Sequence, residues 1–232
     1  MNLKESGLVL SSTCESELAD VAQVDVIYST ALPSKERRRY MNWATCVALD
    51  AFGRQDPAEF RKSVLAVLQN HSVVFLLKGD LPFAFISTYC FKAESMGVMY
   101  IEGMAVKKDY QGNGVANKLV ETAFDITCKK GLKIDFIAGK TQNPAVAKSR
   151  MNYCREVYPI FAQPTPLVLK IVNMVRGKKR RVEVFDEELL VERNSYNGLL
   201  NTNRSYTSNE IVNRFFDEHV GERDYVFIVG KI

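Results

Sequence analysis

A chain of 232 residues, 47% hydrophobic and 25% charged, can bury a substantial core, and its proportions exclude a disordered or fibrous protein. The formal net charge of +4 is compatible with an anionic ligand and too small for a dedicated nucleic-acid binder. Five scattered cysteines and two histidines, with no CxxC pairing, argue for reduced, mostly buried thiols and against a disulfide framework or a metal centre.

The opening "MNLKESGLVLSST" holds only "GLVL" as an apolar core, too short for a secretory signal. No apolar run reaches the ~18 residues of a membrane span, so a cytoplasmic protein without membrane contact is expected. "SKERRRYMNWATCVALDAF" (34–52) places Tyr40, Ala44, Val47, Ala48 and Ala51 on one helical face, with Ser34 as N-cap. In "DPAEFRKSVLAVLQN" Asp56 caps a second helix, Pro57 takes its first position, and Glu59 completes a capping-box pattern. Phe60, Val64, Val67 and Leu68 form its buried stripe.

The texture then changes. "SVVFLL" and "PFAFISTYCF" flank the Gly-Asp turn of "KGDL" and read as an antiparallel hairpin. "GVMYIEGMAV" is a third strand. A helix follows with Val115, Leu119, Ala123 and Ile126 as its stripe, then the strand "KIDFIAG" and a helix in "NPAVAKSRMNYC". A hairpin, a strand and then a helix–strand–helix series imply an α/β fold, a mixed and mainly antiparallel twisted sheet flanked by helices on both faces. In the C-terminal third, Thr165-Pro166 opens a helix with Leu167, Ile171 and Met174, stopping near Gly177. "RVEVF" reads as a strand, "TSNEIVNRFFDEH" as a helix with Thr207 and Glu210 as a capping box, and "DYVFIVGKI" as a closing strand. With no linker or repeat, the expectation is one domain of 1–232: a leading helical segment (1–71), a core (72–161) and a C-terminal elaboration (162–232).

The stretch "YQGNGVANKLV" puts two glycines at the mouth of a helix. Helix starts leave backbone N–H groups unpaired at the positive end of the dipole, where phosphates bind. Bare Gly112 and Gly114 let an anion approach and permit positive φ. The dinucleotide pattern GxGxxG/A fails because Asn117 stands where Gly or Ala is required. The pattern GxxxxGK[ST] fails because its first glycine would fall at Ile134.

A third pattern, Q/R-x-x-G-x-G/A, is filled by Gln111, Gly114 and Ala116. With "MAVKKDYQG" before it and "TQNPAVAKSRMNY" after the next strand, the region 72–161 resembles the GNAT superfamily of acyl-CoA-dependent N-acyltransferases. Lys108 stands where the family often has proline. The resemblance implies acetyl-CoA as cosubstrate, with no metal. It implies backbone N–H groups of Gln111, Gly112, Asn113, Gly114, Val115 and Ala116 on the pyrophosphate, Met104 and Val106 on the pantetheine arm, and Asn143 as a further contact. The strand of Met104 and the next one should part into a V-shaped slot, with Gly103 at a bulge or a close approach. Glu102, in phase with Met104 and Val106, is the candidate base. The family's acid is a tyrosine seven residues after the Asn; that position is Arg150, which leaves Tyr153 as candidate acid. The implied reaction is transfer of a short acyl group to a primary amine of a small molecule or a protein. Two other readings stay open: a non-catalytic acyl-CoA-binding regulatory domain, and a nucleic-acid-interacting protein using the basic run from Arg176 to Arg181. The closing strand could complete its own sheet or pair with a second copy's in a homodimer.

Overall fold

The computed structural model describes residues 21–53, 57–69, 71–177, 184–195 and 204–232. In chain order the elements are β1 (Val21–Tyr28), α1 (Ser34–Phe52), α2 (Pro57–Leu68), β2 (His71–Lys78), β3 (Leu81–Ala93), β4 (Met96–Val106), α3 (Val115–Lys129), β5 (Phe136–Thr141) and α4 (Pro144–Met151). They continue with β6 (Glu156–Tyr158), α5 (Pro166–Arg176), β7 (Phe185–Asp186), β8 (Val191–Glu192), α6 (Glu210–His219) and β9 (Tyr225–Lys231). One sheet runs β1-β2-β3-β4-β5-β9-β8-β7, with β6 sharing with β8 the flank of β9 that faces away from β5. Every pair is antiparallel except β4 with β5. The mixed, mainly antiparallel α/β sheet is therefore present.

Helices cover both faces. On the first, Val115, Leu119, Val120 and Ala123 of α3 pack on Met99, Ile101 and Ile137. Beside them, Ala147 and Met151 of α4 and Val212, Phe215 and Phe216 of α6 pack on Val226 and Ile228. On the second face α1 and α2 cover Val73, Phe75 and Phe85, while α5 covers Tyr100, Phe136, Ala138 and Phe227. Fully burying a Leu or Val contributes roughly 1.5–3 kcal/mol, so these stripes hold the helices to the sheet more firmly than helix propensity does.

Several expectations are corrected. The leading segment is not all helical: "VAQVDVIY" is the edge strand β1, paired with β2 from Val21↔Lys78 to Tyr28↔His71. Ser34 is already helical, and the N-cap is Pro33, whose carbonyl accepts from Arg37 N–H at 3.0 Å. Asn209, not Thr207, caps α6, accepting from Val212 N–H at 3.2 Å. In α5 the buried stripe is Val168, Ile171, Val172 and Val175, leaving Met174 exposed. Cys46 and Cys128 are exposed rather than buried. The cap proposed at Asp56 and the first residues of "RVEVF" lie outside the described residues. Of the two places open to the closing strand, β9 takes the one in its own sheet, between β5 and β8 and also paired with β6.

Candidate active site

At the end of β4 the chain is pinned by Lys107 N–H on Phe83 C=O (2.9 Å). A single 3₁₀ turn (Lys108–Tyr110) follows, with the Tyr110 ring stacked on Phe83 at 4.4 Å. Gln111 Nε2 reaches back to the Val106 carbonyl at 2.8 Å. Gly112 and Gly114 then take φ of 83° and 74°, the left-handed region open to glycine at little cost. Gly114 is the N-cap of α3. It brings no side-chain cap, and the first turn carries no acidic residue. The first helical bond runs from Lys118 N–H to Gly114 C=O at 3.1 Å, so the N–H groups of Val115, Ala116 and Asn117 have no partner within the helix. By contrast α4, α5 and α6 are capped by the side chains of Asn143, Thr165 and Asn209. A Cβ built on Gly112 meets nothing within 4 Å. The start of α3 is thus open, uncapped and positive, the conditions for holding an anion. Gln111 contributes less than its place in the motif implies, because its own N–H donates to Lys108 C=O at 3.1 Å.

Beneath the turn the sheet forks. β4 and β5 pair from Val98↔Phe136 to Ile101↔Gly139 and no further, although β4 continues to Val106 and β5 to Thr141. The bond from Lys107 to Phe83 sets the antiparallel alternation. The N–H and C=O of Met104 and Val106 therefore point away from β3, into the gap. The Val106 carbonyl there is the acceptor for Gln111.

A β-bulge sits at the same height. Ser87 faces Gly103 and Thr88 faces Ile101, which leaves Glu102 unopposed on β4. Bulges place two successive residues on one face. Ile101, Met104 and Val106 all belong to the cluster under α3, so Glu102 and Gly103 both turn to the other side. Gly103 has close contact there: a Cβ would lie 2.3 Å from Val67 Cγ1 of α2. Glu102 is accordingly out of phase with Met104 and Val106, contrary to simple alternation. Its half-buried carboxylate lies near two phenols of the second face. The Tyr89 hydroxyl is pushed well above the usual phenol range, first by burial and then by the charge of Glu102. Tyr100 is likewise raised well above the usual phenol range, again mainly by burial with Glu102 next.

α4 brings the remaining groups. Asn143 Oδ1 accepts from Ala145 N–H at 2.9 Å as a true N-cap, and Asn143 N–H donates to Thr141 Oγ1 at 2.9 Å. Tyr153, just past the helix, turns toward α3. Its hydroxyl donates to Asn117 C=O at 3.0 Å, and burial, with Glu121 and Asp125 behind it, pushes its pKa up to about 12. As an acid at the fork it would first have to give up that bond.

Arg150 is the residue that sequence reasoning passed over. Only 4% of it is exposed. Its guanidinium covers the last β4–β5 pair: a Cβ on Gly139 would lie 2.5 Å from Nη1, 2.7 Å from Cζ and 2.9 Å from Ile101 O. Nη2 makes a long 3.4 Å contact with Lys140 C=O, and Nε and Nη1 have no hydrogen-bond partner among the described residues. Burial pulls its pKa down to about 10, so it is still a cation at neutral pH. The clue in the sequence was its place seven residues after Asn143.

Among the described residues no group of three or more His, Cys, Asp or Glu is arranged to hold a metal ion, and no helix is long and apolar enough to cross a membrane. Most of the basic run lies outside the described residues; Arg176 pairs with the buried Glu192 at 3.2 Å and stacks on Phe185 at 3.9 Å. A cavity of about 310 Å³ bounded by Lys148, Met151, Glu156, Phe161 and Asn209 shares no residue with the turn or the fork.

Residues 37–148, just under half of the chain, match the family model described as Acetyltransferase (GNAT) family. No curated protein matches the sequence. Among solved structures, a putative acetyltransferase from Pyrococcus horikoshii is similar at 15% identity and TM-score 0.39, over 61% of this chain and 42% of that one. This chain thus spans less than half of the Pyrococcus protein. The ribosomal-protein-S18-alanine N-acetyltransferase of Escherichia coli is similar at 12% identity and TM-score 0.42, over 91% and 94% of the two chains. A GNAT family acetyltransferase from Elizabethkingia anophelis with acetyl-CoA bound is similar at 9% identity and TM-score 0.41, over 92% and 99%.

Proposed function

We propose that the protein transfers an acetyl or other short acyl group from coenzyme A to a primary amine by direct attack in a ternary complex. The observation that carries this reading is the uncapped, left-handed Gly112–Gly114 turn set directly above the fork beyond Ile101↔Gly139. In this reading Gly112, Asn113, Gly114, Val115 and Ala116 hold the pyrophosphate, with Gln111 fixing the turn through Val106. Met104 and Val106 hold the pantetheine arm along the open edge of β4. Glu102 takes the proton from the attacking ammonium on the second face. Among the described residues no activated nucleophile stands at the fork, so in this reading alignment of amine and thioester supplies much of the rate.

The test is calorimetric titration with acetyl-CoA, beside NAD and ATP. Micromolar binding of acetyl-CoA alone is expected. Gly112→Glu, which projects a carboxylate into the open space over the turn, is expected to abolish it. Gly112→Asn, whose side chain tolerates positive φ better than most, controls for backbone strain and is expected to retain most of the affinity. Equal loss in both variants, or no binding by the folded wild type, would remove the cradle from the turn.

Asn143 has two tasks in this reading, cap and ligand contact, and they can be separated. Asn143→Ala is expected to lower stability by about 1 kcal/mol and to weaken acetyl-CoA binding. Asn143→Asp restores the cap and with it the stability, but lacks the amide donor, so the affinity should stay low. Urea unfolding beside calorimetry reads both, and full recovery of both by Asp leaves Asn143 as a cap alone.

A further inference from the structure

We infer that Arg150 is the counter-ion for the coenzyme A thiolate that leaves when the acyl C–S bond breaks, an inference that rests on the reading above. A buried guanidinium without an anion costs several kcal/mol, and long basic side chains are almost never fully buried unless paired. Among the described residues Arg150 makes no ion pair, and two of its nitrogens donate to nothing. The Tyr100 hydroxyl, whose ionisation is coupled electrostatically to it, is also buried without a hydrogen-bond partner there. So the protein holds a cation with spare donors at the point where the strands part.

The side of the sheet identifies the anion. Gly139 pairs with Ile101 and with Ile228, both on the first face under α3, α4 and α6, so Arg150 lies on that face. Glu102, with Tyr89 and Tyr100, lies on the second. A base and a cation on opposite faces of one fork sort the two substrates: the amine approaches past Glu102, and the donor's sulfur lies on the side of Arg150.

The step balances without a general acid. The ammonium gives one proton to Glu102, and the nitrogen lone pair forms the C–N bond. The C–S bond breaks with its electron pair passing to sulfur, and the second nitrogen proton goes to solvent. The sulfur departs as a thiolate paired with the guanidinium and takes a proton from water after release. Tyr153 is then free to remain on the Asn117 carbonyl, tying α4 to the first turn of α3.

Coenzyme A itself tests this without turnover. A free thiol has a pKa of roughly 8.5; pairing with the guanidinium should lower the bound value by about two units, a hundredfold preference for thiolate. Calorimetric titration of CoA near neutral pH, in buffers of different ionisation enthalpy, counts the protons released on binding. Acetyl-CoA, which has no thiol to ionise, is the control for the phosphates. Wild type is expected to release on the order of 0.8 proton more with CoA than with acetyl-CoA near pH 7.5. In Arg150→Met and Arg150→Gln the excess should vanish while acetyl-CoA still binds; two variants are used so that the outcome does not depend on one of them folding. No excess in wild type, or the same excess in either variant, overturns the assignment. If neither CoA nor acetyl-CoA binds, the acyltransferase reading falls and this inference falls with it, a result distinct from binding without proton release.

Discussion

Replacing Glu102 with glutamine is expected to slow amine-dependent CoA release by about 10²–10⁴-fold, the usual worth of a positioned general base, while acetyl-CoA affinity stays unchanged. The bulge is the reason. Had β4 kept strict alternation, Glu102 would share the face of Met104 and Val106 or be buried in its core. The inserted residue turns it to the opposite side, beside Tyr89 and Tyr100. Both phenols have raised pKa values, so they are neutral at any physiological pH. They add no charge to compete with the carboxylate for a cationic amine. The measurement is thiol release from acetyl-CoA over a panel of amines: a polyamine, an aminoglycoside, a lysine peptide and a peptide with a free N-terminus. Glutamine keeps the shape and changes the charge, so a rate equal to wild type removes the base role. Loss of acetyl-CoA affinity along with the rate would make Glu102 part of the bulge's architecture instead. Either result leaves the phosphate turn intact as a separate question.

Much of this site was legible in the residues because its parts are local. Gly112 and Gly114 read as a turn into a helix, and the turn has the positive φ values that glycine permits. Asn143-Pro144 read as a helix start, and the Asn143 side chain caps it. The bulge was not legible as a face reversal: Gly103 hinted at an irregularity, but hydrophobic alternation cannot say which residue of "YIEGMAV" is the extra one. β1 was legible and passed over: six of the eight residues of "VAQVDVIY" are apolar, a β-branched run of the kind that favours strands. The place of β9 between β5 and β8 depends on pairings made across more than eighty residues of chain (Phe136↔Lys231, for example), which no local pattern encodes. Arg150 escaped for a different reason. An arginine in a helix near the surface of a sequence reads as solvated, and only the missing side chain of Gly139 makes the room in which it is buried.

That room gives the second large effect, and it is a coupling. Gly139→Ala places a Cβ where Arg150 Nη1 and the Ile101 carbonyl already lie within 3 Å. One of them must give way: either the guanidinium is expelled or the last β4–β5 pair opens. Overpacking of this kind is expected to cost about 1–3 kcal/mol, read as a lower urea midpoint with unchanged m-value. Arg150→Met alone removes a cation that makes no ion pair among the described residues and leaves an apolar chain of similar length. It should be neutral or stabilising, as replacing buried charges by hydrophobic groups often is. If Arg150 is what occupies the space over Gly139, the flexible methionine can yield where the guanidinium could not. The double variant should then recover much of the stability lost in Gly139→Ala, a coupling of roughly 0.5–2 kcal/mol. Strict additivity would mean that the Ile101 carbonyl, not Arg150, meets the new methyl group, and that the fork is set by the strands alone. Strong destabilisation by Arg150→Met on its own would reveal an ionic partner for the guanidinium within the chain, and the charge at the fork would then be structural rather than held for a substrate.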